Sequence, residues 1–197
     1  GIKVDPRKGE AIRAITVDRM KRPKDVKVFL HTVGYMRKFI RGFAAIAAPL
    51  SKYLKKGARM KEGFTNDPEA QKAFEELKKR LLTAPVLVPP DWSRPWMLAT
   101  DGSGIGLGAA LCQKDEDGKI HVVSYASRSL RDPETRYCAY ELEALGVVWA
   151  LKVFSHYLHL NPVEIWTDHA ALLKLNVSGS RRIDKWQSTL LQQTYTV

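Results

Sequence analysis

Three acidic side chains occupy positions from which they could hold a cation. Asp101 closes an apolar run and opens the glycine-rich stretch TDGSGIGLGAAL, residues 100–111. Glu143 lies within ELEALGVVWALKVF, which is apolar on almost every face from Leu142 to Leu151 and so predicts a buried helix. Asp168 follows the apolar run that ends IWT. A carboxylate in a buried helix is costly unless it is paired or binds a metal. Three converging carboxylates repel one another and raise their own pKa values. A divalent cation reverses that, and an oxygen-only donor set suits Mg²⁺ or Mn²⁺ rather than zinc. Two such ions about 4 Å apart can activate a water and stabilise the leaving oxygen of a phosphodiester. Glu141 lies about 200° around the helix from Glu143, so the two cannot face one site, and Glu143 is preferred. Simpler readings stay open here: Asp101 as a turn former, Glu143 as an ordinary helix-surface residue, and Thr167 or Asp168 as the cap of a helix over 170–175. Gly104, Gly106 and Gly108 hint at a phosphate loop, but GAALCQ reads as a strand, the wrong context for a dinucleotide fingerprint. Close backbone approach in a hairpin fits them better.

The elements that must position these acids follow from the period. Residues 1–20 give few signals, and residues 1–22 are expected to be loosely held. From Pro23 the pattern is helical. Asp25 can cap, Val28, Phe29, Val33, Met36, Phe39 and Ile40 recur at three- and four-residue steps, and Gly42 ends the helix. A second helical stretch over 44–55 is interrupted at Pro49 and stopped by Gly57. In the third, Asn66 or Asp67 caps and Pro68 sits in the first turn, with Ala70, Ala73, Phe74, Leu77 and Leu81 on one face. APVLVPPDWSRP, residues 84–95, is a proline-rich joint. After it the period changes to two. Strands are predicted over 96–100, 107–113 and 120–126, then a long helix over 137–158 and a fourth strand over 163–167. Short helices over 170–175 and 183–193 complete the pattern. This is a mixed α/β order: three antiparallel strands, a helix, and a fourth strand reached by a crossover and so parallel to the first. Asp101 and Asp168 then emerge at one carboxyl edge, where such sheets place ligands.

The net charge of +11 is unevenly spread. Residues 1–94 hold 22 Lys and Arg against 10 Asp and Glu, a balance of +12, and residues 95–197 hold 10 against 11, a balance of −1. A polycationic half implies a polyanionic partner, most simply nucleic acid. No apolar run is long enough to span a membrane, and GIKVDPRKGE is not a secretory leader, so an intracellular setting with no membrane partner is expected. The absence of an initial Met suggests a processed product or an excised piece. Cys112 and Cys138 lack metal spacing and are expected to be buried thiols.

With these motifs in place, the chain resembles the C-terminal part of reverse transcriptases of gypsy-type LTR retrotransposons and retroviruses. GIKVDPRKGEAI is similar to the stretch after the polymerase palm, VKVFLHTVGYMRKFIRGFAAIAAPLSKYLKKG to the thumb, and QKAFEELKKRLLTAPVLVPPD to the segment joining thumb to ribonuclease H. PWMLATDGSGIGLGAALCQ, VVSYASRSL, YELEALGVVWAL and IWTDHAALLKL then follow in ribonuclease H order. The resemblance implies a basic thumb- and connection-like helical region over 1–83, the joint over 84–95, and a C-terminally incomplete ribonuclease H-like domain over 96–197. It matches Asp101, Glu143 and Asp168 to three of four metal-binding carboxylates, with two Mg²⁺ or Mn²⁺ ions. The fourth acid would lie beyond a strand beginning at TYTV. The implied reaction is endonucleolytic hydrolysis of the RNA strand of an RNA–DNA hybrid, in the cytoplasm or a virus-like particle, as part of a larger polyprotein. Lys24, Lys27, Arg37, Lys38 and Arg41 are the candidates for phosphate contacts. No polymerase activity is expected, since the paired-aspartate motif is absent. Phe64 stands where the family usually has Trp. The alternative is a catalytically inert nucleic-acid-binding or structural module derived from such a polymerase.

Overall fold

The computed structural model describes residues 1–60, 63–158, 161–166, 186 and 195–196. Helices build the first half. Asp5 accepts the Arg7 N–H and caps α1 (Pro6–Arg13). Pro23 opens α2 (Pro23–Gly34), and Asp25 sits at its third position, reaching back to the Arg22 N–H at 2.9 Å rather than capping. Val26, Phe29, Leu30 and Val33 are buried along one face. The helix stops at Gly34, short of the predicted Gly42. The chain tightens into a 3₁₀ turn at Arg37–Phe39 and reverses at Gly42, whose φ of +67° would strain any side chain. Val28, which the spacing assigns to the apolar face, is 56% exposed. α3 (Phe43–Ala47) runs into a 3₁₀ helix over Ala48–Leu54, with Pro49 in its first turn. α4 (Pro68–Leu82) matches its expectation: Asp67 accepts the Ala70 N–H at 3.2 Å, and Ala70, Ala73, Phe74, Leu77 and Leu81 are buried.

Residues 1–22 are not loosely held. Ile12 and Met20 are buried in the helical core, and Ile2 exchanges backbone hydrogen bonds of 2.6 and 2.9 Å with Leu87. Their signal is faint in sequence because α1 buries one residue, Ile12, and one residue makes no period.

The second half is a sheet. β1 (Trp96–Gly102), β2 (Gly106–Lys114) and β3 (Ile120–Ser129) form an antiparallel meander. α5 (Ala139–Val153) and α6 (Ser155–Leu158) cross over to β4 (Val163–Trp166), which runs parallel to β1. β5 (Tyr195–Thr196) pairs parallel with β4, giving the order β3-β2-β1-β4-β5. The one long helix expected over 137–158 is two, parted at buried Phe154. The expected helices over 170–175 and 183–193 lie outside the described residues, apart from Trp186.

Each half has its own core. Leu87 belongs to the helical core and its neighbour Val88 packs against the sheet core, so the chain changes cores within the proline-rich joint. The halves also meet directly. Val122 and Tyr125 of β3 pack on the helical core, the Ala44 N–H donates to the buried Ser127 Oγ at 3.0 Å, and the Arg37 guanidinium donates to the Ser127 carbonyl. Cys112 is buried as expected, whereas Cys138, just ahead of α5, is exposed. No helix among the described residues is long and apolar enough to cross a membrane.

Candidate functional site

β1 delivers Asp101 to the end of its strand, opposite Gly108 of β2, where it is exposed. Parallel pairing puts the C-terminal ends of β1 and β4 at the same sheet edge. Asp168, the third candidate acid, lies outside the described residues.

Glu143 comes to the same edge from α5. It is 8% exposed, in a helix that buries seven other residues between Leu142 and Leu151. Gly102 permits its approach. A Cβ on Gly102 would stand 2.6 Å from the Leu142 carbonyl oxygen and 3.0 Å from the Glu143 nitrogen, so strand backbone lies directly on helix backbone. Across that contact the Gly102 N–H donates to Glu143 Oε1 at 3.3 Å, one residue from Asp101. Glu141 is engaged elsewhere: it accepts the Cys138 N–H at 3.2 Å at the start of α5.

The loop entering α5 is fixed by a two-pronged ion pair, Arg128 to Glu134 at 2.5 and 2.9 Å, with the Arg131 N–H adding a bond of 2.7 Å. The Arg128 hydrogen bonds hold the Glu134 carboxyl below its usual range, against the opposing effect of burial.

Among the described residues no three His, Cys, Asp or Glu side chains group closely enough to enclose a metal ion. The donor type of the two described carboxylates suits a hard cation. Both offer only oxygen, and Mg²⁺ is commonly held by one or two carboxylates together with waters and substrate phosphates.

The five basic candidates divide. Lys24 and Lys27 are exposed on α2 and line a groove of about 970 Å³ together with Lys8, Lys55 and Lys56. Among the described residues none of these five lysines makes an ion pair. Tyr35, 84% exposed, lies on the same groove. Lys38 is exposed outside it, over the Phe39 ring at 5.4 Å. Arg37 and Arg41 are drawn to the junction of the two halves instead. Arg37 donates to Ser127 and lies over the Phe43 ring at 5.4 Å. Arg41 lines a cavity of about 340 Å³ beside Cys112. Burial pushes the Cys112 thiol up to about 11, with the Arg41 charge pulling the other way. Sequence reasoning missed Lys8, Lys55 and Lys56 because they come from segments that only the fold assembles. Val28 on α2 and Tyr35 just past its end, seven positions apart, are both exposed on this groove.

Comparison with known proteins identifies the family and the fold. The family described as RNase H-like domain found in reverse transcriptase matches residues 67–165. The retrovirus-related Pol polyprotein from transposon 297 of Drosophila melanogaster is 35% identical over 199 residues, covering 100% of this chain and 18% of its own length. The transposon Tf2-3 polyprotein of Schizosaccharomyces pombe is 34% identical over 173 residues, covering 85% of this chain and 13% of its own. The chain thus spans less than a fifth of either relative. A foamy viral protease-reverse transcriptase solved with double-stranded DNA shares the fold at a TM-score of 0.77 and 20% identity, over 98% of this chain and 35% of that one. A foamy viral protease-reverse transcriptase solved with an RNA/DNA hybrid does so at 0.73 and 21%, over 98% and 26%.

Proposed function

The chain belongs to the family of RNase H-like domains found in reverse transcriptase, and from that premise we propose that it performs the metal-dependent ribonuclease H step of a retroelement polyprotein. Its substrate is the RNA strand of an RNA–DNA hybrid, and the lysine-lined helical groove grips that duplex. The observation that carries the reading is Glu143: a buried carboxylate brought by a glycine contact to within one residue of a strand-end aspartate.

In this reading Asp101 and Glu143, joined by Asp168, hold one or two Mg²⁺ or Mn²⁺ ions. A divalent cation held there would supply Lewis-acid activation of a water and neutralise charge gathering on the phosphodiester. The chain's own residues orient and hold. α5 excludes water behind Glu143, and the Gly102 N–H fixes one of its oxygens. Asp101 stays exposed to the incoming phosphate. Lys8, Lys24, Lys27, Lys55 and Lys56 bind backbone phosphates without regard to sequence. Choice of a hybrid rests on its A-like shape and on the 2′-hydroxyls of its RNA strand. The two cores support reading 1–83 as the gripping region, 84–95 as the joint and 96–197 as the ribonuclease H-like domain.

The deciding experiment is cleavage of an end-labelled RNA–DNA hybrid with Mg²⁺ and with Mn²⁺, beside Asp101→Asn. Cleavage should fall by about a thousandfold or more in the variant, matching the several kcal/mol that a bound ion contributes. Salt-dependent hybrid binding with no cleavage by the unaltered chain would overturn the enzymatic reading and leave a binding module.

A further inference from the structure

Gly102 does more than close a strand. Three backbone atoms of α5 would lie within 3.0 Å of a Cβ there: the Leu142 carbonyl carbon and oxygen and the Glu143 nitrogen. Backbone cannot swing aside as a side-chain tip does, so any larger residue must push the whole helix away from β1. One turn along the same helix, Gly146 faces the Asp101 carbonyl, but a Cβ there would meet it at 4.0 Å, an ordinary contact. The two glycines look alike in sequence and differ in tolerance. The same Gly102 that sets the helix–strand distance also donates its N–H to Glu143 Oε1.

Resting on the metal-site reading above, we propose that Gly102 is the positioning residue of the site: its missing side chain sets the separation between α5, which carries Glu143, and β1, which carries Asp101, and its N–H, donated to Oε1, orients the Glu143 carboxylate. A residue of any size at 102 would lengthen that separation and break the hydrogen bond together. The consequence is a weaker and less selective cation site on an otherwise intact fold. A metal site's hydrogen-bond partners typically govern its affinity by about 10- to 100-fold.

The test is Mn²⁺ binding to the full chain, followed by electron paramagnetic resonance, for the unaltered protein, Asp101→Asn, Gly102→Ala and Gly146→Ala, with circular dichroism recording the fold. Gly102→Ala should lose about tenfold or more in Mn²⁺ affinity while keeping its secondary structure, and Gly146→Ala should bind as the unaltered chain does. If the unaltered chain binds Mn²⁺ no better than Asp101→Asn, the metal-site reading itself fails. If Asp101→Asn loses the ion but Gly102→Ala keeps it, or if Gly146→Ala weakens binding equally, the positioning role is overturned and the site stands. Should Gly102→Ala not fold, Glu143→Asp takes its place. It withdraws the carboxylate by one methylene without touching the backbone contact. A loss of about tenfold supports the spacing argument, and unchanged affinity overturns it.

Discussion

The helical half and the sheet half differ in where they leave charge without a partner. In the helical half lysines outnumber their possible partners, and five of them line one groove without an ion pair among the described residues. On the sheet side, among the described residues, several charges have partners instead. Arg128 grips Glu134, Arg94 reaches Asp91 and Glu116, Lys114 approaches Glu164, and His121 meets Asp115. Net charge alone would have marked every cation of the first half as a nucleic-acid contact. The fold shows which cations are already spent: Arg37 on the Ser127 carbonyl, and Lys52 on Asp67. A charge left unpaired in an exposed groove costs little stability and is available to a ligand. A charge with a fixed internal partner serves the fold.

That contrast can be broken at three points. The largest effect should come from removing unpaired charge. Changing Lys24, Lys27 and Lys56 to Ala together should lower the dependence of hybrid binding on log salt by about three, one for each phosphate contact. Thermal stability should stay nearly the same, because exposed, unpartnered side chains contribute within about 0.5 kcal/mol each. A fixed salt slope, measured by fluorescence anisotropy across a salt series, would remove the groove from the interface.

The next effect concerns a spent charge. Asp67 caps α4, pairs with Lys52 and accepts the Tyr53 hydroxyl. Burial raises the Tyr53 hydroxyl to about 12, with the bond to Asp67 acting in the same direction. Burial alone would raise the Asp67 carboxyl too, but its bonds from Lys52, Tyr53 and the Ala70 N–H hold it below its ordinary 3.8. A depressed carboxylate stabilises the fold above its unfolded value and loses that contribution as pH falls through the folded one. Asp67→Ala should therefore cost about 1–2 kcal/mol at neutral pH, and the gap from the unaltered chain should close as pH drops below 3.8. Urea melts at pH 7 and pH 3 check both parts: the gap should be smaller at pH 3, and a gap undiminished there would mean the charged carboxylate is not what stabilises.

The smallest effect is the sharpest test of the comparison. Arg37→Ala should cost about 1 kcal/mol, the worth of one hydrogen bond at the junction, and leave the salt slope of hybrid binding unchanged. A slope reduced by about one would return Arg37 to the phosphate contacts and break the division between spent and unspent charge.

Much of this was legible beforehand because it is local. A cap at Asn66 or Asp67, a proline in the first turn and an apolar face made α4 readable. The change to period two after the proline-rich joint made the meander readable. The burial of Glu143 followed from the apolar run around it. What failed was local in appearance only. Val28 sits among apolar spacings but faces outward, because α2 had already filled its core with Val26, Phe29, Leu30 and Val33. The first twenty residues carried no period, yet Ile12 and Met20 complete a core assembled from distant segments.

Local pattern and simple counts thus carried the order of the main elements from α2 to β4, the division of charge between the halves, and the candidacy of Asp101 and Glu143. Those properties depend on neighbours within a few residues or on simple counts. Only the tertiary structure decided which lysines share a groove, that Arg37 is held by a carbonyl 90 residues away, and that Gly102 rather than Gly146 sets the helix–strand distance. The physical reason is the same in each case. Pairing and steric contact act over a few ångströms in space, and the chain brings those ångströms together from positions that no local pattern connects.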